Sequence, residues 1–80
     1  MSTQKLRVKS LSGQAKEAIL QYIEEMDLKT DNKLPREEAL AEMLGVSRIT
    51  IRQALNDLAA EGIIFRRQGR GTFVNVDSLN

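Results

Sequence analysis

The chain has 80 residues, of which 41% are hydrophobic and 29% charged, and 12 Lys and Arg stand against 11 Asp and Glu for a net charge of +1. That composition suits one small globular domain with a thin core and lacks the low hydrophobicity and high net charge of disordered chains. The absence of Cys and His removes disulfides, thiolate chemistry, the usual zinc ligand sets and the commonest general base, and no apolar run is long enough to span a bilayer.

Residues 1–9 show no sustained periodicity and are expected to form a flexible basic arm. A first helix is predicted from Ser10 or Ser12, either of which can cap it, to about Met26, with Leu11, Ala15, Ala18, Ile19, Tyr22, Ile23 and Met26 as its apolar stripe. Asp27 to Lys33 reads as a loop, because Thr30-Asp31-Asn32 favour turns through side-chain to backbone hydrogen bonds. Leu34-Pro35 is expected to open a second helix, since proline suits a first turn and Glu37 and Glu38 complement the positive helix N-terminus. Leu40, Ala41 and Leu44 form its buried side.

Gly45 ends that helix as a residue free to take positive φ, and Ser47 can cap the next one only two residues later. A helix-turn-helix needs a small residue where two helices cross, a turn residue tolerant of positive φ, and a branched apolar anchor in the second helix. Ala41, Gly45 and Ile51 meet those needs in order. Along the helix that follows, Ile51, Ala54, Leu55, Leu58 and Ala59 make one apolar side, while Arg48, Arg52, Gln53 and Asn56 fall outside it. These are side chains that donate to phosphates or pair with base edges, although a plain solvated face carries the same types.

After Glu61-Gly62, the segments Ile63 to Arg67 and Thr72 to Val76 have strand composition, with Phe73 as the expected core anchor. Gln68-Gly69-Arg70-Gly71 connects them as a hairpin, or wing. Arg66, Arg67 and Arg70 suit phosphate contacts or entry into a minor groove; the competing reading is charge placed only to protect a sheet edge. Gly69-Arg70-Gly71 lacks the strand-loop-helix setting and lysine of a P-loop, and the adjacent pairs Glu24-Glu25 and Glu37-Glu38 point apart on a helix, so no enzyme, cofactor or metal site is expected. Charge is segregated: residues 17–42 hold eight acidic and three basic residues, net −5, whereas residues 46–71 hold five arginines against two acids, net +3, and residues 1–16 add +4. Positive charge at both ends of the chain suits a polyanion. The fold expected is mainly α with a small β-hairpin, a winged helix-turn-helix of three helices and a two-stranded wing over residues 10–76, followed by the start of a linker at 77–80.

Leu34-Pro35, Leu40-Ala41, Leu44-Gly45-Val46-Ser47-Arg48, Thr50-Ile51-Arg52 with Ala54-Leu55, Glu61-Gly62-Ile63 and Arg67-Gln68-Gly69-Arg70-Gly71-Thr72-Phe73-Val74 together resemble the DNA-binding domain of GntR-family bacterial transcription regulators. The wing ending Gly-Thr-Phe-Val is similar to the HutC-like branch. The resemblance implies a cytoplasmic regulator, a repressor sooner than an activator, that binds a near-palindromic double-stranded DNA operator as a homodimer through the full-length protein. A small-molecule effector would be held by a C-terminal domain beyond this chain. It also implies DNA contacts by Arg48 and Arg52, a backbone phosphate contact by Thr50, and a tip at Gly69 to Gly71 that enters the minor groove. Beside these, Ser47 is expected to position the helix, Gln53 to touch bases or phosphates with the two arginines, and Arg67, Arg70 and Thr72 to serve the wing. Where the family often has arginine this chain has Glu38, and Arg36, in place of a small capping residue, is expected to take over its phosphate contact. The rival from another class is a winged helix used for protein or RNA association, since fold alone does not fix function.

Overall fold

The computed structural model describes residues 10–79, so the expected basic arm at residues 1–9 lies outside the described residues. Three helices precede a hairpin: α1 (Leu11–Glu24), α2 (Glu37–Leu44), α3 (Arg48–Ala60), β1 (Ile64–Arg67) and β2 (Gly71–Val74), with a 3-10 turn at Val76–Leu79. The winged helix-turn-helix expectation is borne out; the differences lie at element ends, in a sheet bridge within the predicted loop and in the direction Phe73 faces.

Ser10 caps α1 by accepting a hydrogen bond from the Gly13 N–H at 3.0 Å. Ala15, Ile19 and Ile23, four residues apart, form its buried line. Leu11 is in register with that line but is 61% exposed, at the mouth of a shallow groove with Ala18, Leu44 and Val46. The helix stops before the predicted Met26 because the N–H groups of Glu25 and Met26 turn to the carbonyls three residues back, Tyr22 and Ile23, both at 3.1 Å. Asp27 then makes the expected turn, accepting from the Thr30 hydroxyl at 2.8 Å and the Lys29 N–H at 3.3 Å.

The predicted loop contains a sheet element. Lys33 pairs antiparallel with Phe73 in an isolated bridge. Around it, Leu34 donates to the Thr72 carbonyl at 2.9 Å and the Asn32 carbonyl accepts from Val74 at 2.8 Å. The Asn32 side-chain amide also donates to the Val74 carbonyl, at 2.8 Å. This bridge explains why α2 does not begin at Leu34-Pro35. Leu34 is committed to extended backbone by its sheet bond and by the proline after it. The N-cap is therefore Arg36, in β geometry with no side-chain cap bond, and α2 starts at Glu37.

The turn between α2 and α3 follows the sequence reading closely. Gly45 is left-handed at φ 69°, ψ 33°, and the N–H groups of Gly45 and Val46 both reach the Ala41 carbonyl, at 2.8 and 3.1 Å. Ser47 caps α3 by accepting from the Thr50 N–H at 3.1 Å. Ile51, Ala54, Leu55 and Leu58 are at most 1% exposed and meet Ala15, Ile19 and Ile23 of α1 together with Leu40 and Ala41 of α2 in one core.

In the hairpin, Ile64 lies opposite Val74 and Arg67 opposite Gly71. Because side chains alternate along a strand, Ile64 and Val74 point into the core, at 2% and 0% exposure. Phe73 consequently faces the other way, and its expected role as core anchor passes to Val74. Phe73 instead stacks on Phe65 across the strands, with ring centroids 5.7 Å apart.

Gly45 sets the angle at which α3 leaves α2, and a Cβ there would meet nothing within 4 Å. Its replacement therefore tests backbone conformation alone. Gly45→Ala should lower unfolding free energy by about 1–2 kcal/mol, and Gly45→Asn by less, because asparagine tolerates the left-handed region. Urea titration would measure both; unchanged stability in the alanine variant would remove the conformational argument.

Candidate nucleic-acid interface

The outer face of α3 is built by elimination. With Ile51, Ala54, Leu55 and Leu58 turned inward, Arg48, Ile49, Arg52, Gln53 and Asn56 are left exposed. Ile49, Arg52, Gln53 and Asn56 follow helical spacing and share one side. Ile49 is 65% exposed, the most exposed of the large apolar side chains among the described residues. Sequence reading passed over it because an isoleucine in a helix reads as packing; the available signal was that it falls off the buried stripe. At the start of the helix the Ser47 and Thr50 hydroxyls lie 2.9 Å apart, and no acidic residue occupies the first turn. Ser47 thus fixes the helix start, and Thr50, half-buried, already has a hydroxyl partner.

Three arginines are paired with carboxylates from the first turn of α2. Glu37 accepts from Arg52 at 3.1 Å to Nη2 and 3.3 Å to Nε. The same carboxylate lies 3.9 Å from Arg66 Nη2 on β1, and Arg66 also donates to Asn56 Oδ1 at 2.8 Å. Glu38 lies 3.8 Å from Arg48 Nη1. These contacts join α2, α3 and β1 in one polar layer beside the exposed face of α3. Ion pairs this open to solvent contribute about 0–1 kcal/mol each, so their main effect is to restrict where the guanidinium groups point. Sequence reading treated Glu37 and Glu38 as helix N-terminal charges and grouped Arg66 with the wing tip. It missed this pairing because the partners come from separate elements and meet only after folding.

On the hairpin, the Arg67 guanidinium lies over the Phe65 ring, 5.5 Å from its centroid. Gly69 and Gly71 have φ of 78° and 125°, and the turn is closed by the Arg70 N–H donating to the Arg67 carbonyl at 2.9 Å. Arg70 is exposed at the tip, whereas Thr72 is half-buried and uses its carbonyl to hold Leu34. Arg36, exposed before α2, faces the same cleft as Gly69, Arg70, Gly71 and Thr72. The fold therefore gathers most of the sequence-selected residues into two regions: Ser47, Arg48, Thr50, Arg52 and Gln53 at α3, and Arg36 with Gly69, Arg70, Gly71 and Thr72 at the neighbouring cleft, while Arg67 lies over Phe65 and does not line that cleft. A projecting helix with donors on its outer face and a bare glycine hairpin beside it has the shape and chemistry to lie in a groove and touch the adjoining backbone. Among the described residues no group of three or more acidic side chains is placed to hold a metal, and no helix is long and apolar enough to cross a membrane.

Comparison with known proteins agrees with this architecture. Residues 11–74 match the family described as bacterial regulatory proteins, gntR family. Over 62 residues the chain is 45% identical to the HTH-type transcriptional repressor NagR of Bacillus subtilis (strain 168), covering 78% of this chain and 26% of that protein. It is 44% identical over 62 residues to the arabinose metabolism transcriptional repressor of Geobacillus stearothermophilus, covering 78% of this chain and 17% of the relative. The chain thus spans about a quarter or less of the length of these curated relatives. Among solved structures, the DNA-binding domain of AraR in complex with operator ORR3 superposes with a TM-score of 0.73 at 40% identity, covering 85% of this chain and 82% of that one. Family match, sequence identity and shared fold agree, and the chain belongs to the gntR family of bacterial regulatory proteins.

Proposed function

We propose that this chain is the operator-binding domain of a transcription repressor, with α3 in a major groove and the hairpin against the adjacent minor groove. The observation that carries the reading is the outer face of α3, where Arg48, Arg52, Gln53 and Asn56 are presented together on a helix whose other side is sealed in the core. The likeness to AraR, whose DNA-binding domain is described in complex with operator, supports it. In this reading Arg48, Arg52 and Gln53 contact bases or phosphates, and Ser47 and Thr50 bring the start of α3 to the backbone. The exposed Ile49 suits the C5-methyl of a thymine. Arg67, Gly69, Arg70, Gly71 and Thr72 serve the wing, and Arg36 supplies a phosphate contact that Glu38, paired with Arg48, does not.

One such helix reads a short half-site, and two copies on a near-palindromic operator extend that half-site preference to the specificity of a full operator. A homodimer formed through a second domain would supply the second copy. That domain, of the HutC-like ligand-binding type, would hold a small-molecule effector; the greater length of the relatives supports the presence of a further domain, and its type and effector rest on the sequence resemblance alone.

Selecting duplexes from a random pool and titrating the retained sequences over a range of salt tests the whole reading. Enrichment of one short half-site with affinity falling steeply as salt rises is expected; retained DNA without any enrichment, or affinity indifferent to salt, would sink it. On the selected duplex, Arg52→Ala should weaken binding by about 1–3 kcal/mol, or roughly 5- to 150-fold, with the fold intact. Wild-type affinity in that folded variant would remove Arg52 from the interface. Glu37→Gln should shift stability by no more than about 1 kcal/mol, yet lower the ratio of selected to random affinity, because Arg52 and Arg66 lose the carboxylate that orients them. An unchanged ratio would show that the pairing does not guide recognition.

A further inference from the structure

Two groups stand out among the basic side chains near α3 and the hairpin, apart from Arg67, which lies over Phe65. Arg48, Arg52 and Arg66 each have a carboxylate. Among the described residues, the side chains of Lys33, Arg36 and Arg70 have none. These three line one open cleft of about 380 Å³ between the start of α2 and the tip of the hairpin. We propose that Lys33 is a DNA-contacting residue and that, with Arg36 and Arg70, it grips a backbone phosphate in this cleft, a proposal that rests on the chain's binding duplex DNA.

Lys33 reaches the cleft through the sheet. Its bridge to Phe73 places its backbone alongside β2, and its stem runs across the position where Gly71 has no side chain. A Cβ at Gly71 would sit 2.9 Å from Lys33 Cε and 3.7 Å from its Nζ. The missing side chain at Gly71 therefore does two things: it permits a φ of 125° at the turn, and it leaves the track along which the lysine lies toward the wing tip. Long basic side chains commonly lie along a surface in this way while the charged end stays in water.

Two neighbouring acids, Asp31 and Glu37, form no ion pair with the Lys33 ammonium. Asp31 accepts from the Lys33 backbone N–H at 3.0 Å, an interaction with the main chain and not the ammonium. Glu37 also borders the cleft, but its carboxylate is taken up by Arg52 and Arg66. Glu37 thereby marks the cleft as continuous with the exposed face of α3. A duplex seated on that face would bring its backbone past the three unpaired cations, and bare glycine backbone at Gly69, where a Cβ would meet nothing within 4 Å, permits close approach. Phosphate is the fitting ligand chemistry: lysine acts as a point charge and arginine as a fork, and both lack a partner here.

The test is a fluorescence anisotropy titration of the 80-residue chain against a short random-sequence duplex and against a selected one, over a series of salt concentrations. For Lys33→Gln the slope of log affinity on log salt should become shallower by about 0.9, the value for one phosphate contact. The loss of affinity should be equal on both duplexes, since phosphates carry no sequence. Lys33→Arg should keep the wild-type slope, as should Lys29→Gln, which removes an exposed charge outside the cleft. A wild-type slope in Lys33→Gln, with Arg52→Ala still weakening binding, would overturn the proposal and leave the DNA reading standing. An equal change in Lys29→Gln would overturn it by reducing the effect to net charge. Failure of the wild-type chain to bind either duplex at low salt would overturn both.

Discussion

The structure depends on the burial of one side of α3. Its 13 residues are too few for a helix to be more than marginal in water alone. Ile51, Ala54, Leu55 and Leu58 must be taken out of solvent for the helix to persist, and α1, α2 and Ile64 of β1 cover them. The direction in which the remaining side projects is settled by the same packing. Arg52 and Gln53 are outward because Ile51, Ala54 and Leu55 are inward, so presentation of the functional face and stability of the core are one constraint. A substitution on the inner side of α3 therefore disturbs both, whereas one on its outer side changes the face alone.

Much of this was legible because the decisive signals were local. A glycine before a serine cap, with Ala41 and Ile51 at the right offsets, specifies the turn within a span of eleven residues. What failed was non-local. Lys33 joins β2 through a single bridge to a residue forty positions away, and Asn-Lys-Leu has no strand composition to announce it. That bridge also moved the start of α2 past Pro35, so one unseen contact produced two errors. Phe73 was misplaced for a different reason: the larger, more apolar residue was assumed to be the inner one, although Val74 is smaller and wholly buried. Two adjacent strand residues cannot both face the core, and the pairing of Ile64 with Val74 decides which does.

The charges were misread in a way that matters more for function. A count of acids and bases separates an acidic segment at residues 17–42 from a basic one at residues 46–71, yet folding brings them together. Glu37 and Glu38 stand at the start of α2 because carboxylates suit that end of a helix, and the helix-turn-helix crossing then sets them beside α3. Two demands are met by the same residues: completing the end of one helix and aligning the arginines of the next. Their ion pairs are too solvated to hold the domain together, but orienting a long side chain requires little energy compared with folding a chain.

On the proposed reading, paired and unpaired cations have different tasks. An arginine held by a carboxylate loses part of its attraction for any nearby phosphate, so Arg48 and Arg52 add less to indiscriminate binding than their charge suggests. A base edge that satisfies the fork can still compete for it, since hydrogen bonds to the carboxylate are exchanged and not merely lost. Lys33, Arg36 and Arg70 carry no such restraint and attract any backbone. Attraction then belongs mainly to the cleft and discrimination to the helix. This division accounts for a domain of net charge +1 on a polyanion: its cations need not outnumber its carboxylates if the carboxylates neutralise the side chains whose task is choice and leave free those whose task is grip.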